Sequence, residues 1–544
     1  MNRWQIPRAW IKQARAALLA ALSLFLLCTG GPAPSWASLP QPVKVETGLL
    51  EGISGRDPSI TVFKGVPYAK PPLGELRWKA PQPPAAWQGV RKADAFGNVC
   101  PQLRRGGAAE GDEDCLFLNI WTGAASPNER RPVLVWFYGG RFSGGAGSDP
   151  MYDGEGLARK GLVVVTMNYR LGVLGFLATP ELSKESGHNA SGNYGLLDQI
   201  ACLQWVHRNI AAFGGDPNRI TIAGQSAGAA SVGFLLISPL AKGLFHRAII
   251  QSHALFPHDP YIGGLAPSWR SLEAAQRAGV EYAEEHGAHT LAELRAMSWR
   301  KLLEGSNAND PDVKLPPGQM PPPLFRPVVD GWVIPMSYSQ SYAKGIQNDV
   351  PVLSGGNRDE RGGGPSGQIT LADYLSAARE KYGNLVDEFL KLYPAAGDQE
   401  AAMAQRESGR DEARVSMYLW AVEWKKAAKN KVFTYFWTHA PPGPEGASRG
   451  AYHGSEINYV FNNLYAVDRP WTDQDRRIAD IMSSFWANFA ATGDPNGKGL
   501  PNWPEFKPGE LVTMEVGDYF GPIPIADRVK FDFIRRYLMA QKPW

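Results

Sequence analysis

The sequence has few cysteines, little net charge and no long apolar run, and each of these absences excludes a class of protein. Four cysteines in 544 residues are too few to hold a fold together by disulfide bonds. The 56 basic and 53 acidic side chains leave a formal net charge of +3. That charge is too small and too dispersed to indicate a nucleic-acid or anionic-membrane partner. No segment supplies about 18 consecutive apolar residues, which excludes a polytopic membrane protein.

Core-forming residues, in contrast, are abundant. Hydrophobic residues make up 44% of the chain, charged residues make up 20%, and there are 18 tryptophans. The mean hydropathy is −0.27. This composition excludes disordered and collagen-like chains and predicts a soluble globular protein. The length fits either a few domains or one large α/β domain.

The first 37 residues have the pattern of an export signal. An apolar run of 13 residues ends at Cys28, the small-x-small triplet Ser35-Trp36-Ala37 follows it, and four basic residues precede it: Arg3, Arg8, Lys12 and Arg15. The run is short for a membrane span, which needs about 20 residues. We predict a signal peptide over 1–37 and a mature protein, periplasmic or secreted, without stable membrane insertion. An uncleaved anchor is the alternative.

Without that segment, 52 basic side chains face 53 acidic ones, so the mature charge is −1.

Strands and helices alternate in the mature part. Apolar runs over 132–138 and 162–169 are typical of strands buried on both faces. We predict further strands over 43–50, 60–63, 248–251, 350–353 and 432–437, and helices over 196–213, 227–237, within 370–430 and over 476–491. This pattern predicts one α/β domain over 38–544, with a mostly parallel central sheet flanked by helices and inserted helical regions.

A strand-like run over 219–225 leads into Gly224-Gln225-Ser226-Ala227-Gly228 and then a helix of small residues. This is the strand, sharp turn and helix of a nucleophile elbow, in which the two glycines allow the backbone segments to approach closely. Ser226 is the candidate nucleophile.

A serine nucleophile needs a base, and in this arrangement the chain order is Ser, acid, His. That order leaves His439, at the end of a strand, and His453, in a glycine-flanked loop that can project an imidazole, which we favour. Asp359 and Glu360 both follow a buried strand, and the pattern alone does not choose between them.

Seven ordered motifs resemble type B carboxylesterases, the family of cholinesterases and bacterial para-nitrobenzyl esterases. They cover about residues 42–520 and are 63–69 with 71–72 and 76–78, 113–119, 213–217, the Ser226 elbow, 357–360, 453–456 and 493–496. The resemblance implies an α/β-hydrolase fold and an esterase. It also implies Glu360 as the triad acid with Ser226 and His453, and a disulfide between Cys100 and Cys115.

The oxyanion hole and its surroundings depart from that family. Backbone N–H groups of Gly140, Arg141 and Ala227 are the expected donors, yet Arg141 stands where a third glycine is usual. We predict that Gly139, Gln225, His253 and Arg361 line the substrate pocket. Because Gln225 replaces a usual glutamate and Arg141 and Arg361 add charge, we expect a more positive site that favours anionic esters and disfavours cationic ones.

The residues therefore predict hydrolysis of a small-molecule ester through an acyl-enzyme on Ser226, with no metal or other cofactor. An amidase or a lipase with the same triad is the alternative. A non-catalytic binding module of cholinesterase-like fold is a further alternative, which the presence of all three triad residues argues against. The sequence sets no oligomeric state.

Overall fold

One large sheet of eleven strands organises the described part of the chain. In chain order the strands are β1 (Ile53–Ser54), β2 (Thr61–Pro67), β3 (Phe117–Thr122), β4 (Arg131–Phe137), β5 (Val163–Met167), β6 (Gly215–Gln225), β7 (Arg247–Gln251), β8 (Val352–Asn357), β9 (Val432–Trp437), β10 (Val512–Val516) and β11 (Gly521–Pro524). Their spatial order is β11-β10-β9-β8-β7-β6-β4-β5-β3-β2-β1. The seven strands from β10 to β5 pair in parallel. Those at the two ends pair antiparallel.

This computed structural model describes residues 38–544, apart from 105, 266–267, 316–320, 362–363 and 366. The predicted signal peptide over 1–37 lies outside the described residues. Residues Ser38–Trp544 form one compact unit. The helices in the described ranges include none with both the length and the apolar character that a membrane crossing requires.

Helices cover both faces of the sheet, which explains why its central strands bury apolar side chains on both sides. In β4, Val133 and Val135 belong to the core on one face, whereas Leu134 and Trp136 belong to the core on the other. The described helices of eleven or more residues are α1 (Tyr194–Asn209), α2 (Ala227–Ile237), α3 (Leu272–Glu285), α4 (Leu371–Tyr382), α5 (Asp398–Lys425), α6 (Asp473–Thr492) and α7 (Arg528–Met539). Helices α1 and α2 pack on the first face and α6 on the second.

The predicted mostly parallel sheet with flanking helices is confirmed. The bounds of β9 and α2 match the sequence prediction, whereas the helix predicted over 196–213 ends at Asn209 and continues as a 3₁₀ turn, Ile210–Phe213. Gly214 then stops that turn with a φ of 77°. The residues predicted as an early strand over 43–50 form two short strands, Val43–Val45 and Gly48–Glu51, which pair antiparallel outside the main sheet.

Cys100 and Cys115 form a disulfide, as the family resemblance implied. In the chain-entropy picture, closing a loop of this length stabilises the fold by about 3 kcal/mol. Cys202 is a buried free thiol in α1, and burial raises its pKa well above the usual range of a thiol. This cysteine is therefore a core residue and no nucleophile.

Candidate active site

Ser226 lies at the turn between β6 and α2. Its φ of 59° and ψ of −125° place it in a region that non-glycine residues rarely adopt, at a cost of about 1–3 kcal/mol. The turn is too tight for side chains at its two glycines. A Cβ on Gly228 would lie 1.9 Å from the carbonyl oxygen of Phe137, and one on Gly224 would lie 2.4 Å from the carbonyl carbon of Gly228. The predicted strand, turn and helix are therefore all present around this serine.

Glu360 follows β8 and is held by two hydrogen bonds to one oxygen. Its Oε1 accepts the backbone N–H of Asn357 at 2.9 Å and the hydroxyl of Ser252. Burial raises the pKa of Glu360. The attraction of His453, together with the bonds from Ser252 and Asn357, outweighs that effect and holds the pKa of Glu360 below its ordinary value. The carboxylate is therefore ionised at neutral pH.

Asp359, the other acid that the sequence left open, binds the loop that carries His453. Its Oδ2 accepts the backbone N–H of Ala451 at 2.8 Å, and its Oδ1 accepts from Arg410 of α5 at 2.5 Å. Its own N–H donates to the carbonyl of Ala451. A Cβ on Gly450 would lie 2.1 Å from Oδ2, so this loop needs glycine there. Asp359 thus holds the His453 loop in place by hydrogen bonds, whereas Glu360 faces the imidazole of His453.

His453 contacts both Glu360 and the residue before Ser226. Its Nδ1 lies 3.8 Å from Oε1 of Glu360, and its Nε2 lies 3.2 Å from Nε2 of Gln225. Burial lowers the pKa of His453, but the neighbouring Glu360 carboxylate more than offsets this, so its pKa is raised. Ser226 Oγ forms no hydrogen bond with the described residues. Hydrogen bonds between catalytic groups are often long without substrate and tighten once it binds.

The turn that carries two of the predicted oxyanion donors, Gly140 and Arg141, lies beside Ser226. A Cβ on Gly139 would lie 2.9 Å from Cβ of Ser226, so the 139–141 turn packs directly on the elbow. Within the described residues, the N–H groups of Gly140, Arg141 and Ala227 have no hydrogen-bond acceptor. Arg141 keeps its N–H in this turn by adopting a φ of 60°, which costs about 1–2 kcal/mol for a residue other than glycine.

The Arg141 side chain extends to Pro321 and Asn309. One Nη2 hydrogen bond goes to the carbonyl of Pro321 at 2.9 Å, and Oδ1 of Asn309 lies 3.5 Å away. Across the described ranges, no carboxylate lies within 4 Å of this guanidinium. Arg141 therefore carries a positive charge that no described acid balances, with several N–H donors left over.

Arg361, unlike Arg141, forms ion pairs with two carboxylates. It lines a cavity of about 60 Å³ beside Glu360, together with His253 and His453. Its guanidinium lies 2.5 Å from Asp259 and 3.2 Å from Glu412, and it stacks over the ring of Tyr261 at 4.3 Å. The expectation that Arg361 makes the site more positive is therefore not met, since two carboxylates balance its charge.

His253 lines the same cavity as an uncharged group. Its Nε2 lies 3.3 Å from the hydroxyl of Tyr338, and burial lowers its pKa to about 4. Its Nδ1 has no partner among the described residues. Gly233 lies against this ring, where an added Cβ would be 3.5 Å away. In the described part of the chain, no cluster of His, Cys, Asp and Glu side chains has a metal-binding arrangement.

Sequence reasoning missed Ser252 and the positions of the two acids relative to the imidazole. Ser252 follows β7 directly and has a φ of 64°. Its position at the carboxyl end of a central parallel strand is the signal that would have drawn attention to it, because functional groups collect at that edge of the sheet.

His439, the other histidine that the chain order allowed, lies in a cluster with carboxylates. Its Nε2 is 2.9 Å from Asp475, at the start of α6, and its Nδ1 is 2.6 Å from Asp518, which follows β10. Tyr459 donates to the same oxygen of Asp475, and Arg358 lies 3.7 Å from Asp518. Burial lowers the pKa of His439, but the hydrogen bonds that its ring donates to the two carboxylates outweigh this effect, so the pKa is raised.

This cluster predicts a pH-dependent contribution to stability. Because its folded pKa is raised, His439 stabilises the fold below about pH 6.5, its ordinary pKa, and loses that effect as the pH rises through the folded value. We expect His439→Gln to lower Tm most at pH 5–6 and least at pH 9, measured by calorimetry. A Tm difference that is constant across this range would contradict the prediction.

The sheet, with a serine at the turn from a central strand into a helix, defines the α/β-hydrolase class of enzymes. The sequence profile described as the carboxylesterase family matches residues 40–520. The chain is 37% identical to a fumonisin B1 esterase of Sphingopyxis macrogoltabida, over 93% of each chain. It is 33% identical to a para-nitrobenzyl esterase of Bacillus subtilis, over 87% of this chain and 94% of that one. A solved PNB esterase structure matches with a TM-score of 0.74 and 30% identity, covering 91% of this chain and 99% of the other.

The chain therefore belongs to the carboxylesterase family. It is a carboxylic ester hydrolase with the α/β-hydrolase fold, as the sequence predicted.

Proposed function

We propose that this protein is an exported serine carboxylesterase in which Ser226 is the nucleophile, His453 the base and Glu360 the acid. The observation that carries the proposal is the strained elbow at Ser226, with the imidazole of His453 3.2 Å from the adjacent Gln225 and 3.8 Å from Glu360. The unpaired N–H groups of Gly140, Arg141 and Ala227 supply the oxyanion hole.

The reaction then proceeds by acyl transfer. His453 Nε2 takes the proton of the Ser226 hydroxyl as its oxygen attacks the ester carbonyl, and the three N–H groups stabilise the oxyanion. The imidazolium returns the proton to the departing alcohol, which leaves an acyl-enzyme. Water then attacks the acyl carbon with His453 as base again, and the acid is released. Glu360 keeps the Nδ1 proton in place and stabilises the imidazolium.

A phosphonate that traps serine nucleophiles tests this assignment. One equivalent should label Ser226 and abolish hydrolysis of p-nitrophenyl butyrate in proportion to labelling. A panel of esters, anilides and long-chain triglycerides then separates an esterase from an amidase or a lipase. One relative is named for fumonisin B1, so fumonisin B1 belongs in that panel. Faster turnover of anilides or triglycerides than of soluble esters would contradict the proposal.

We further propose that Arg141 makes the site favour anionic esters. Its N–H is an oxyanion donor, so an anion held by its guanidinium lies within one side-chain length of the scissile carbonyl. No described carboxylate balances its charge, whereas that of Arg361 is balanced by Asp259 and Glu412. Arg141 alone therefore carries the positive charge that the sequence suggested for two residues.

Replacing Arg141 should change selectivity more than activity. We expect Arg141→Gly and Arg141→Gln to lower kcat/KM for a monoester of glutaric acid about tenfold, with the butyrate ester of the same alcohol changed by less than about threefold. The glutamine variant removes only the charge, and the glycine variant also relieves the φ of 60°. Butyrylcholine should gain from either change. Equal losses on both esters would refute the charge preference.

Export is supported by the Cys100–Cys115 disulfide, since such bonds persist in oxidising compartments. Amino-terminal sequencing of the protein recovered outside the cytoplasm is expected to begin at Ser38. Recovery of the full-length chain from the membrane fraction would favour the uncleaved anchor instead.

A further inference from the structure

The residue before the nucleophile is in direct contact with the base. Gln225 is 5% exposed, and its Nε2 lies 3.2 Å from His453 Nε2. Glycines leave room for its carboxamide on two sides: a Cβ on Gly139 would lie 3.3 Å from Oε1, and one on Gly454 would lie 3.6 Å from Nε2. No described residue donates a hydrogen bond to its Oε1.

The groups around the His453 ring indicate which of its nitrogens carries the proton when the ring is neutral. The Glu360 carboxylate lies 3.8 Å from Nδ1 and can only accept, so its charge favours a proton on Nδ1. In the neutral ring Nε2 then carries a lone pair, and only a hydrogen-bond donor can bind to it. The carboxamide N–H₂ of Gln225 is such a donor, whereas a carboxylate at this position would favour the imidazolium instead.

We propose that Gln225 is a positioning residue that holds His453 as the neutral Nδ1–H tautomer, ready to accept the Ser226 proton. This inference rests on the proposed function, in which His453 is the base. The contact does not block the reaction, because the Ser226 hydroxyl can replace the amide on the same lone pair, and exchanging one neutral hydrogen bond for another changes little free energy.

Other charged groups around His453 set the background for this effect. Glu360 and Glu456 favour its protonated form, and Arg449, from the short helix Pro444–Arg449, opposes it. Arg361 lines the neighbouring cavity, where Asp259 and Glu412 balance it. None of these groups contacts Nε2 in the described structure, so Gln225 is the described residue that hydrogen-bonds to Nε2 in the resting enzyme.

The test is the pH dependence of kcat/KM on p-nitrophenyl acetate, a neutral ester that does not respond to charge at Arg141. In Gln225→Glu the new carboxylate adjoins Nε2, and the pair takes up a proton more readily. We expect the acid limb of the pH profile, where kcat/KM rises as His453 loses its proton, to move up by about one pH unit or more. The plateau value of kcat/KM near pH 9 should stay within about fivefold of that of the parent.

Gln225→Met is the matched control, because it fills similar space with neither donor nor charge. We expect its acid limb to stay within about half a unit of the parent, while its plateau falls about tenfold because the ring is no longer held. A merely structural role would lower Tm and activity in both variants without moving the limb of either.

An acid limb in folded Gln225→Glu that coincides with that of the parent would overturn the inference. If Gln225→Glu does not fold, a Gln225→Met enzyme with the plateau and limb of the parent would do the same. Ser226→Ala in the same assay separates the two proposals. Hydrolysis that survives in Ser226→Ala refutes the proposed function, whereas Ser226-dependent hydrolysis with an unmoved limb refutes only the role of Gln225.

Discussion

Ser226→Ala is expected to lower kcat for ester hydrolysis by about 10⁶-fold while the fold is kept. In the proposed mechanism, removing the hydroxyl abolishes the acyl-enzyme route, and the remaining rate comes from binding and from the oxyanion donors. The measurement is steady-state turnover of p-nitrophenyl butyrate together with phosphonate labelling, which should disappear in the variant.

Stability provides the control for that result. The φ of 59° at Ser226 is strained for alanine as much as for serine, so calorimetry should give a Tm close to that of the parent. Turnover within about tenfold of the parent, in a preparation free of other esterases, would exclude Ser226 as the nucleophile.

The two neighbouring acids should respond very differently to loss of charge. Glu360→Gln is expected to lower kcat by about 10⁴-fold with little change in Tm, because an amide no longer stabilises the imidazolium or fixes the Nδ1 proton. Asp359→Asn leaves that chemistry intact. It weakens the bonds to the Ala451 N–H and Arg410, which should cost about 2–4 kcal/mol of stability.

Parallel measurements of kcat and Tm on both variants decide between the acids. The expected pattern is a large activity loss without destabilisation for Glu360→Gln, and clear destabilisation with kcat reduced by no more than about tenfold for Asp359→Asn. The reverse pattern would make Asp359 the triad acid and Glu360 the residue that fastens the His453 loop.

The sheet could be predicted because its central strands carry an unambiguous signal. Runs such as Val163–Met167 are apolar except for Thr166 and are buried at every position, which happens when helices cover both faces. The chain between such runs is long enough for crossovers. The ends of helices were less predictable. The 3₁₀ turn after Asn209 depends on packing of Ile210 and Phe213 into the core, which hydrophobic periodicity does not distinguish from another turn of helix.

The candidate site was only partly predictable. Chain order and glycine placement pointed to Ser226 and His453, but two adjacent acids on one loop differ only in which way each side chain faces. The charge of Arg361 was misjudged for a similar reason: its partners Asp259 and Glu412 are about 100 and 50 residues away in sequence. The direct contact of Gln225 with the imidazole also depends on two chain segments meeting in space.

Helix α5 holds the loop 358–361, which carries Glu360, through charge pairs, and this affects how the loop opens. Arg410 and Glu412 of this helix bind Asp359 and Arg361, the residues on either side of Glu360. Loops that carry functional groups usually open locally at low free energy and lose amide protons quickly to exchange. Here the loop cannot open without breaking charge pairs to a helix of 28 residues. Its amide protons should therefore exchange together with those of α5, and heat inactivation should coincide with unfolding of that helix.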